Sequence, residues 1–315
     1  MFGELAIFSG SANPGLAQEI CDYLDKPLQE VTIIDYPNEN IFVKLGKSVR
    51  GQDVFIIQPT TSPVNRNIME LLIMIDTMKR ASAGRITAVV PYYSYARSDK
   101  KDQPRVPITA RLVADLITIA GANRYMTIDL HAGQIQGFFN IPGDELTAFH
   151  ILSDYLLEKQ IPDATIVSTD LGFAKKARNF AEKLHLPMAF IEKRRVAGGM
   201  GVEDLSIIGH VDGRNCILVD DEVDTAGSMV EAVWLLKANG ARKIYLSFTH
   251  PLFSDPAVDR LKDLPVEEIV TTNSIYLPPE KHLPNMTLLS VAPLLGEVIR
   301  RTHQGVSVGE WLKDV

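Results

Sequence analysis

The densest chemistry in the chain lies in ten consecutive residues, Val219-Asp220-Asp221-Glu222-Val223-Asp224-Thr225-Ala226-Gly227-Ser228. Residues 217–219 read as a buried strand, after which the chain turns through small polar residues into a helix that carries Val230 and Ala232. Backbone N–H groups in that turn, with the Thr225 and Ser228 hydroxyls, make an anion nest at a helix N-terminus suited to a phosphate monoester. Asp220 and Asp221 complement it. Carboxylates accept hydrogen bonds from sugar hydroxyls or, as hard oxygen ligands, hold Mg²⁺ through water. Acidic residues at a strand end are commonly solvated caps, but three carboxylates beside Thr-Ala-Gly-Ser favour a ligand loop.

Two other loops imitate phosphate sites and fail. Leu45-Gly46-Lys47-Ser48 resembles the end of a P-loop, yet the first glycine of that motif would fall at Ile41. Gly198-Gly199-Met200-Gly201 lacks the spacing and the flanking strand and helix of a dinucleotide fingerprint, and reads as a mobile loop. It follows Lys193-Arg194-Arg195, a basic triplet that by itself would be an ordinary solvated face.

The elements that must position these residues alternate. Short Val/Ile/Leu-rich runs at 5–8, 31–35, 54–58, 86–90, 125–128, 165–168, 188–191, 216–219, 243–248 and 268–271 read as strands. Helical periods at 17–24, 68–81, 109–120, 148–158, 173–184 and 228–238 lie between them, the pattern of βαβ units around a mainly parallel sheet. Residues 55–90 and 217–248 look like distant copies: each runs strand, polar loop, amphipathic helix, Gly/Arg turn, strand. The copies differ in their loops, because the second carries Asp220, Asp221 and Asp224 where the first has Gln58, Thr60 and Pro63. A boundary near 142–146 fits the Pro-Gly-Asp punctuation there.

The 315-residue length fits two domains at roughly 100–200 residues each. With 46% hydrophobic and 23% charged residues, disorder, collagen and coiled coil are poor fits. A formal charge of -7 argues against unspecific duplex binding, so an anionic ligand must be met locally. Cys21 and Cys216 form no disulfide framework or zinc pattern and read as buried thiols. The start MFGELAIFSG has no basic n-region, and the apolar stretch 71–75 falls far short of the ~20 residues needed to span a bilayer. A cytoplasmic protein with neither membrane nor nucleic-acid partners is expected.

The 219–228 segment resembles the ribose-5-phosphate loop shared by phosphoribosyltransferases and phosphoribosyl pyrophosphate synthetases. Pro91-Tyr92-Tyr93-Ser94-Tyr95-Ala96-Arg97, Asp129-Leu130-His131-Ala132-Gly133-Gln134-Ile135-Gln136-Gly137-Phe138-Phe139 and Arg300-Arg301-Thr302-His303 resemble the ribose-phosphate pyrophosphokinase family specifically. The resemblance runs from Ser9-Gly10-Ser11-Ala12-Asn13-Pro14 to the C-terminus. It implies an α/β chain of two duplicated phosphoribosyltransferase-like domains, each with a mainly parallel central sheet flanked by helices. The expected division is 1–146, joined by the tail 303–315, for the nucleotide side and 147–302 for ribose 5-phosphate.

The implied activity is a ribose-phosphate diphosphokinase, a transferase that passes the β,γ-pyrophosphoryl group of ATP to ribose 5-phosphate. The rivals are a catalytically silent regulatory homologue and a phosphoribosyltransferase. By the resemblance, Asp220, Asp221, Asp224, Thr225, Ala226, Gly227 and Ser228 bind the sugar phosphate, and Lys193 and Arg195 are catalytic. Tyr36, Asn38, Asn40, Arg97, Ser98 and Asp99 meet the nucleotide. His131 and Asp170 hold Mg²⁺, and Ser48, Arg50 and Ser307 stand at regulatory positions. Asn38, Asn40 and Ser98 depart from the family pattern of two carboxylates and a glutamine, and Leu171 replaces a small residue beside Asp170. A homo-oligomer, expected to be a hexamer, is implied as well.

Overall fold

The computed structural model describes residues 3–195 and 203–314. They group into two compact units, one from the described parts of Met1–Thr147, Ser274–Tyr276 and Ser290–Val315, the other from Ala148–Asn273 and Leu277–Leu289.

In the first unit the order is β1 (Leu5–Ser9), α1 (Pro14–Leu24), β2 (Val31–Asp35), β3 (Ile41–Leu45), β4 (Asp53–Ile57), α2 (Val64–Arg80), β5 (Arg85–Val90), α3 (Thr109–Ala120), β6 (Arg124–Ile128) and β7 (Gly143–Leu146). A five-stranded sheet runs β1-β4-β5-β6-β7 with every pairing parallel. β2 and β3 pair antiparallel in a hairpin of their own. Parallel strands are covered on both faces, which explains why β4 and β5 read as unbroken apolar runs. Ile56, Leu71, Met74, Ile75 and Ala88 fill the core between sheet and helices.

The second unit contains α4 (Phe149–Lys159), β8 (Ala164–Ser168), α5 (Ala174–Leu184), β9 (Met188–Arg195), β10 (Glu203–Ile208), β11 (Asn215–Val223), α6 (Gly227–Ala238), β12 (Ile244–Pro251), α7 (Ala257–Lys262), β13 (Glu268–Thr272) and β14 (Met286–Leu289). Its seven-stranded sheet has the order β10-β9-β8-β11-β12-β13-β14, parallel except for β10 against β9. Val167, Leu218, Val233, Leu246 and Phe248 form its core.

The chain then returns to the first unit through α8 (Ala292–Gln304) and α9 (Val308–Asp314). The return thus begins at Ser290, earlier than the expected residue 303. Its cause is the buried face of α8, where Leu295, Val298 and Ile299 leave water as the helix packs on α1. Gly296 lies so close to Tyr23 that a Cβ there would come within 2.5 Å of the ring. In the same unit Tyr23, Arg300 and Arg301 hydrogen-bond the Glu297 carboxylate.

Four strands escape the apolar-run criterion. β3 alternates exposed and covered residues in a hairpin, and β7 is the polar tetrapeptide Gly-Asp-Glu-Leu. β10 and β14 are sheet edges paired on one side only. β11 runs on to Val223, past the expected end at 219, since β12 continues beside it through Asp220–Phe248 and Glu222–His250. Asp220 and Asp221 are therefore strand residues at the carboxyl end of a central strand, where open α/β sheets present their ligand sites.

Candidate functional site

β11 delivers the acidic residues and α6 delivers the anion nest. Val230 N–H bonds to the Ala226 carbonyl at 2.9 Å, closing the first helical turn and leaving the earlier N–H groups without intrahelical acceptors. The residue at the cap is Ala226, which offers no side-chain acceptor and adopts the left-handed conformation at φ 60° and ψ 9°. A non-glycine residue there costs roughly 1–2 kcal/mol, strain of the kind that surrounding structure sustains at ligand sites. Ala226 is buried, Asp224 and Gly227 are half-buried, and Thr225 and Ser228 are exposed.

The carboxylates beside this turn are crowded. Asp220 Oδ2 accepts a 2.6 Å hydrogen bond from Thr169 Oγ1, and its Oδ1 accepts one from the Asp221 N–H at 2.9 Å. Burial, and then the neighbouring Asp221 carboxyl, push the Asp220 carboxyl well above the usual carboxylate range, against the Thr169 hydrogen bond. Hydroxyl donors from a ligand offset the repulsion between two acids that resist being ionised together.

Asp170 follows Thr169 in the next loop, because Ser168 of β8 is in register with Val219 of β11. Its side chain is exposed and its Oδ1 accepts from the Phe173 N–H at 2.8 Å, holding the chain as it enters α5. Lys193 and Arg195 lie at the end of β9, in register with Leu205 and Glu203 of β10. Their side chains, and the Gly198–Gly201 stretch written above as Gly198-Gly199-Met200-Gly201, lie outside the described residues.

In the first unit, Gln134 donates to the buried Asp99 carboxylate, which ties the segment carrying Arg97, Ser98 and Asp99 to the segment carrying His131. Arg97 and His131 are exposed. Ser98 also meets the start of α3: its Oγ accepts from the Thr109 N–H at 3.1 Å and its carbonyl from the Ala110 N–H at 3.2 Å. Tyr36, Asn38 and Asn40 occupy the tip of the β2–β3 hairpin, all exposed, with Tyr36 at 6.2 Å from the Phe42 ring centroid. The Asn38 side-chain oxygen accepts from the Asn40 N–H at 3.3 Å, so this amide is engaged in its own turn. Ser48 Oγ accepts from the Arg50 N–H at 3.4 Å, and Ser307 Oγ caps α9 through the Glu310 N–H at 3.2 Å.

Comparison with known proteins places this geometry. Residues 5–121 match the N-terminal domain of ribose phosphate pyrophosphokinase, and residues 201–313 match the phosphoribosyl synthetase-associated domain. A ribose-phosphate pyrophosphokinase of Caldanaerobacter subterraneus is 51% identical over 307 residues, covering 97% of each chain. One from Synechocystis is 47% identical, over 98% of this chain and 93% of its own. The chain belongs to the ribose-phosphate pyrophosphokinase family. The crystal structure of phosphoribosylpyrophosphate synthetase from Mycobacterium smegmatis superposes with a TM-score of 0.92 at 42% identity, covering 96% of this chain and all of that one. The expected α/β fold, with parallel sheets flanked by helices, is thereby shown for this member of the pyrophosphokinase family.

Within that family frame, a bound Mg²⁺ would find few protein donors. Among the described residues no group of three or more His, Cys, Asp or Glu is arranged to hold a metal. The donor chemistry still fits an ion that arrives on a triphosphate, since Mg²⁺ typically takes one or two carboxylates and completes its shell with water and phosphate oxygens. The exposed Asp170 carboxylate of the second unit is a donor of that sort, whereas the exposed His131 imidazole of the first unit offers nitrogen, a softer donor than Mg²⁺ prefers.

Two contributors were invisible to motif reading. Thr169 carries the one hydroxyl bonded to the Asp220 carboxylate, and only the β8–β11 pairing shows it. Arg260 reaches the Thr225 carbonyl at 2.8 Å across 35 residues of sequence. No local pattern signals either.

Proposed function

We propose that the chain catalyses transfer of the β,γ-pyrophosphoryl group of ATP to the anomeric hydroxyl of ribose 5-phosphate, giving phosphoribosyl pyrophosphate and AMP. The observation that carries this reading is the α6 N-terminus, whose cap residue Ala226 has no side-chain acceptor, beside the crowded Asp220–Asp221 pair, in a chain of this family. Asp220 and Asp221 accept hydrogen bonds from the ring hydroxyls. The turn of Asp224, Thr225, Ala226, Gly227 and Ser228 holds the 5-phosphate through N–H and O–H donors.

The anomeric oxygen attacks the β-phosphorus in line, the bond from that phosphorus to the α,β-bridging oxygen breaks, and AMP departs with the electron pair. The attacking hydroxyl gives up its proton to water. Lys193 and Arg195 place positive charge where negative charge builds around the β-phosphorus and on the departing AMP. Arg97 and Asp99, with Tyr36, Asn38, Asn40 and Ser98, contribute the nucleotide side. His131 and Asp170 would hold Mg²⁺, and the ion would supply charge neutralisation at the phosphates.

Ser48, Arg50 and Ser307 are proposed regulatory contacts, and the active form is a homo-oligomer, a hexamer, in the cytoplasm. No described helix is long and apolar enough to cross a membrane.

The test is release of AMP from ATP in the presence and absence of ribose 5-phosphate. Sugar-dependent release is expected; its absence from a correctly folded preparation, with ribose 5-phosphate still bound, points to the silent homologue. Lys193→Ala or Arg195→Ala should lower kcat by about 10²–10³ with little change in KM. An effect confined to KM would make these residues ordinary binding groups.

A further inference from the structure

The proposed sugar-phosphate loop has a charge problem. Residues 220–228 include Asp220, Asp221, Glu222 and Asp224 and not one lysine or arginine. A phosphate monoester carries about -1.5 to -2 charges near pH 7, so a dianion would enter a segment already carrying four acids. Helix N–H groups alone amount to roughly half a positive charge.

The second unit brings a cation to this place from elsewhere in the chain. Ala257 and Leu261, both fully buried, anchor α7 in the core, and the Phe253 N–H ties the approach to α7 to the Val223 carbonyl at 3.1 Å. Arg260 projects from this anchored helix and its Nη1 donates to the Thr225 carbonyl at 2.8 Å. Among the described residues this is the hydrogen bond its guanidinium makes. The same Nη1 stands 3.5 Å from the point where a Cβ on Gly227 would lie, and the Thr225 hydroxyl oxygen stands 3.9 Å from that point. The missing side chain of Gly227 thus leaves a guanidinium nitrogen and a hydroxyl oxygen both within 4 Å of one point at the first turn of α6.

We infer that Arg260 is a binding residue of the ribose 5-phosphate site, clamping the Thr225–Ala226 turn through one N–H and meeting the phosphate monoester with the remainder of its guanidinium. The inference rests on the reading of this loop as the sugar-phosphate site. Two consequences follow from one side chain. The clamp holds the Thr225–Ala226 turn at the entry to α6, and the guanidinium charge offsets the acids of this segment when the phosphate enters. A planar guanidinium can do both at once because its donors point along different edges.

Arg260→Gln and Arg260→Lys separate this role from a structural one, since Arg260 is exposed, both replacements are polar and only lysine keeps the charge. The measurements are Kd for ribose 5-phosphate and for ATP by calorimetry, with thermal melts of each protein. Arg260→Gln should weaken ribose 5-phosphate by about 10- to 100-fold, the range of a lost charge-assisted hydrogen bond, while ATP binding and the melt stay at wild-type values. Arg260→Lys should recover part of the loss. Wild-type affinity in Arg260→Gln overturns the inference, as does a weakening that follows a lowered melting temperature or strikes ATP equally. Wild-type protein that does not bind ribose 5-phosphate at all would instead sink the reading of the loop, and the inference with it.

Discussion

Each unit contains a strand, a polar loop and a helix built to the same plan, and the two loops have solved the same electrostatic problem in opposite ways. After β4 the first unit fills its own loop. The fully buried Glu70 on α2 accepts from the Ser11 N–H at 2.6 Å, the Ser11 hydroxyl at 2.7 Å and the Gln58 side chain at 2.9 Å, and pairs with Arg66 at 2.5 Å. Gln58 in turn accepts from the Ala12 N–H at 3.1 Å, while Thr60 bridges the Tyr92 carbonyl and the Ser94 N–H. Arg66 also reaches the Asp35 carboxylate and the Ser11 hydroxyl. This carboxylate has its cation and its donors already.

After β11 the second unit sets two acids side by side. The Asp220 carboxyl accepts from the Thr169 hydroxyl and the Asp221 N–H, and burial, then the Asp221 carboxyl beside it, push it well above the usual carboxylate range. Glu268, elsewhere in the same unit, is resolved in the manner of Glu70: Lys159, Tyr155 and Thr287 all donate to it. A carboxylate satisfied by its own chain serves stability. The loop after β4 thus serves the fold, and the loop after β11 is the proposed ligand loop.

The sharpest way to break this contrast is to remove the second loop's acids. Asp220→Ala combined with Asp221→Ala should weaken ribose 5-phosphate by at least about 100-fold, the value of two lost acceptor contacts, with the melting temperature held or raised. Retained affinity in calorimetry would show that this loop does not read the sugar.

The mirror-image substitution is Glu70→Ala. It strips a buried partner from Gln58, Ser11 and Arg66 and should cost about 3 kcal/mol of stability, read by chemical denaturation, with ribose 5-phosphate affinity unmoved. A protein of unchanged stability would remove the reason for calling this loop self-satisfied.

Glu268→Gln tests the same rule by pH. Burial raises the Glu268 carboxyl, but the hydrogen bonds from Lys159, Tyr155 and Thr287 outweigh it and hold the group below its ordinary value. A carboxyl depressed by folding contributes stability above its unfolded value of about 4.3 and loses that contribution as pH falls through the folded value. The variant should therefore be weaker by about 1–2 kcal/mol at neutral pH and indistinguishable from wild type in strong acid. A gap that persists unchanged in acid would assign the cost to packing.

The smallest effect expected is at the turn. Ala226→Gly removes the cost of a left-handed alanine and should stabilise the fold by up to about 1 kcal/mol, with sugar-phosphate affinity shifted by no more than about threefold. A marked loss of affinity would show that alanine's stiffness holds the nest in shape.

Much of the architecture was legible before any coordinates. Apolar runs at 54–58, 86–90 and 165–168 announce buried parallel strands because β-branched side chains must leave water on both faces. The Asp-Thr-Ala-Gly-Ser turn announces a helix N-terminus, since small residues alone allow the backbone to bend there. Edge strands β10 and β14, the short β7 and the hairpin strand β3 were not legible, because a strand paired on one side, or exposed on one face, need not be apolar.

By itself the sequence determined the α/β alternation, the internal duplication and the acidic loop with its hydroxyls, because these follow from residue type and spacing within about thirty positions. Only the tertiary structure decided that α8 belongs to the first unit, that Thr169 meets Asp220, that Glu70 closes the loop after β4, and that Arg260 stands at Thr225 and Gly227. Each of those depends on which strands pair and which helix face is buried. Hydrogen bonds between positions far apart in the chain leave no period for a local reading to detect, because it is the packing of the sheet that brings the partners within reach.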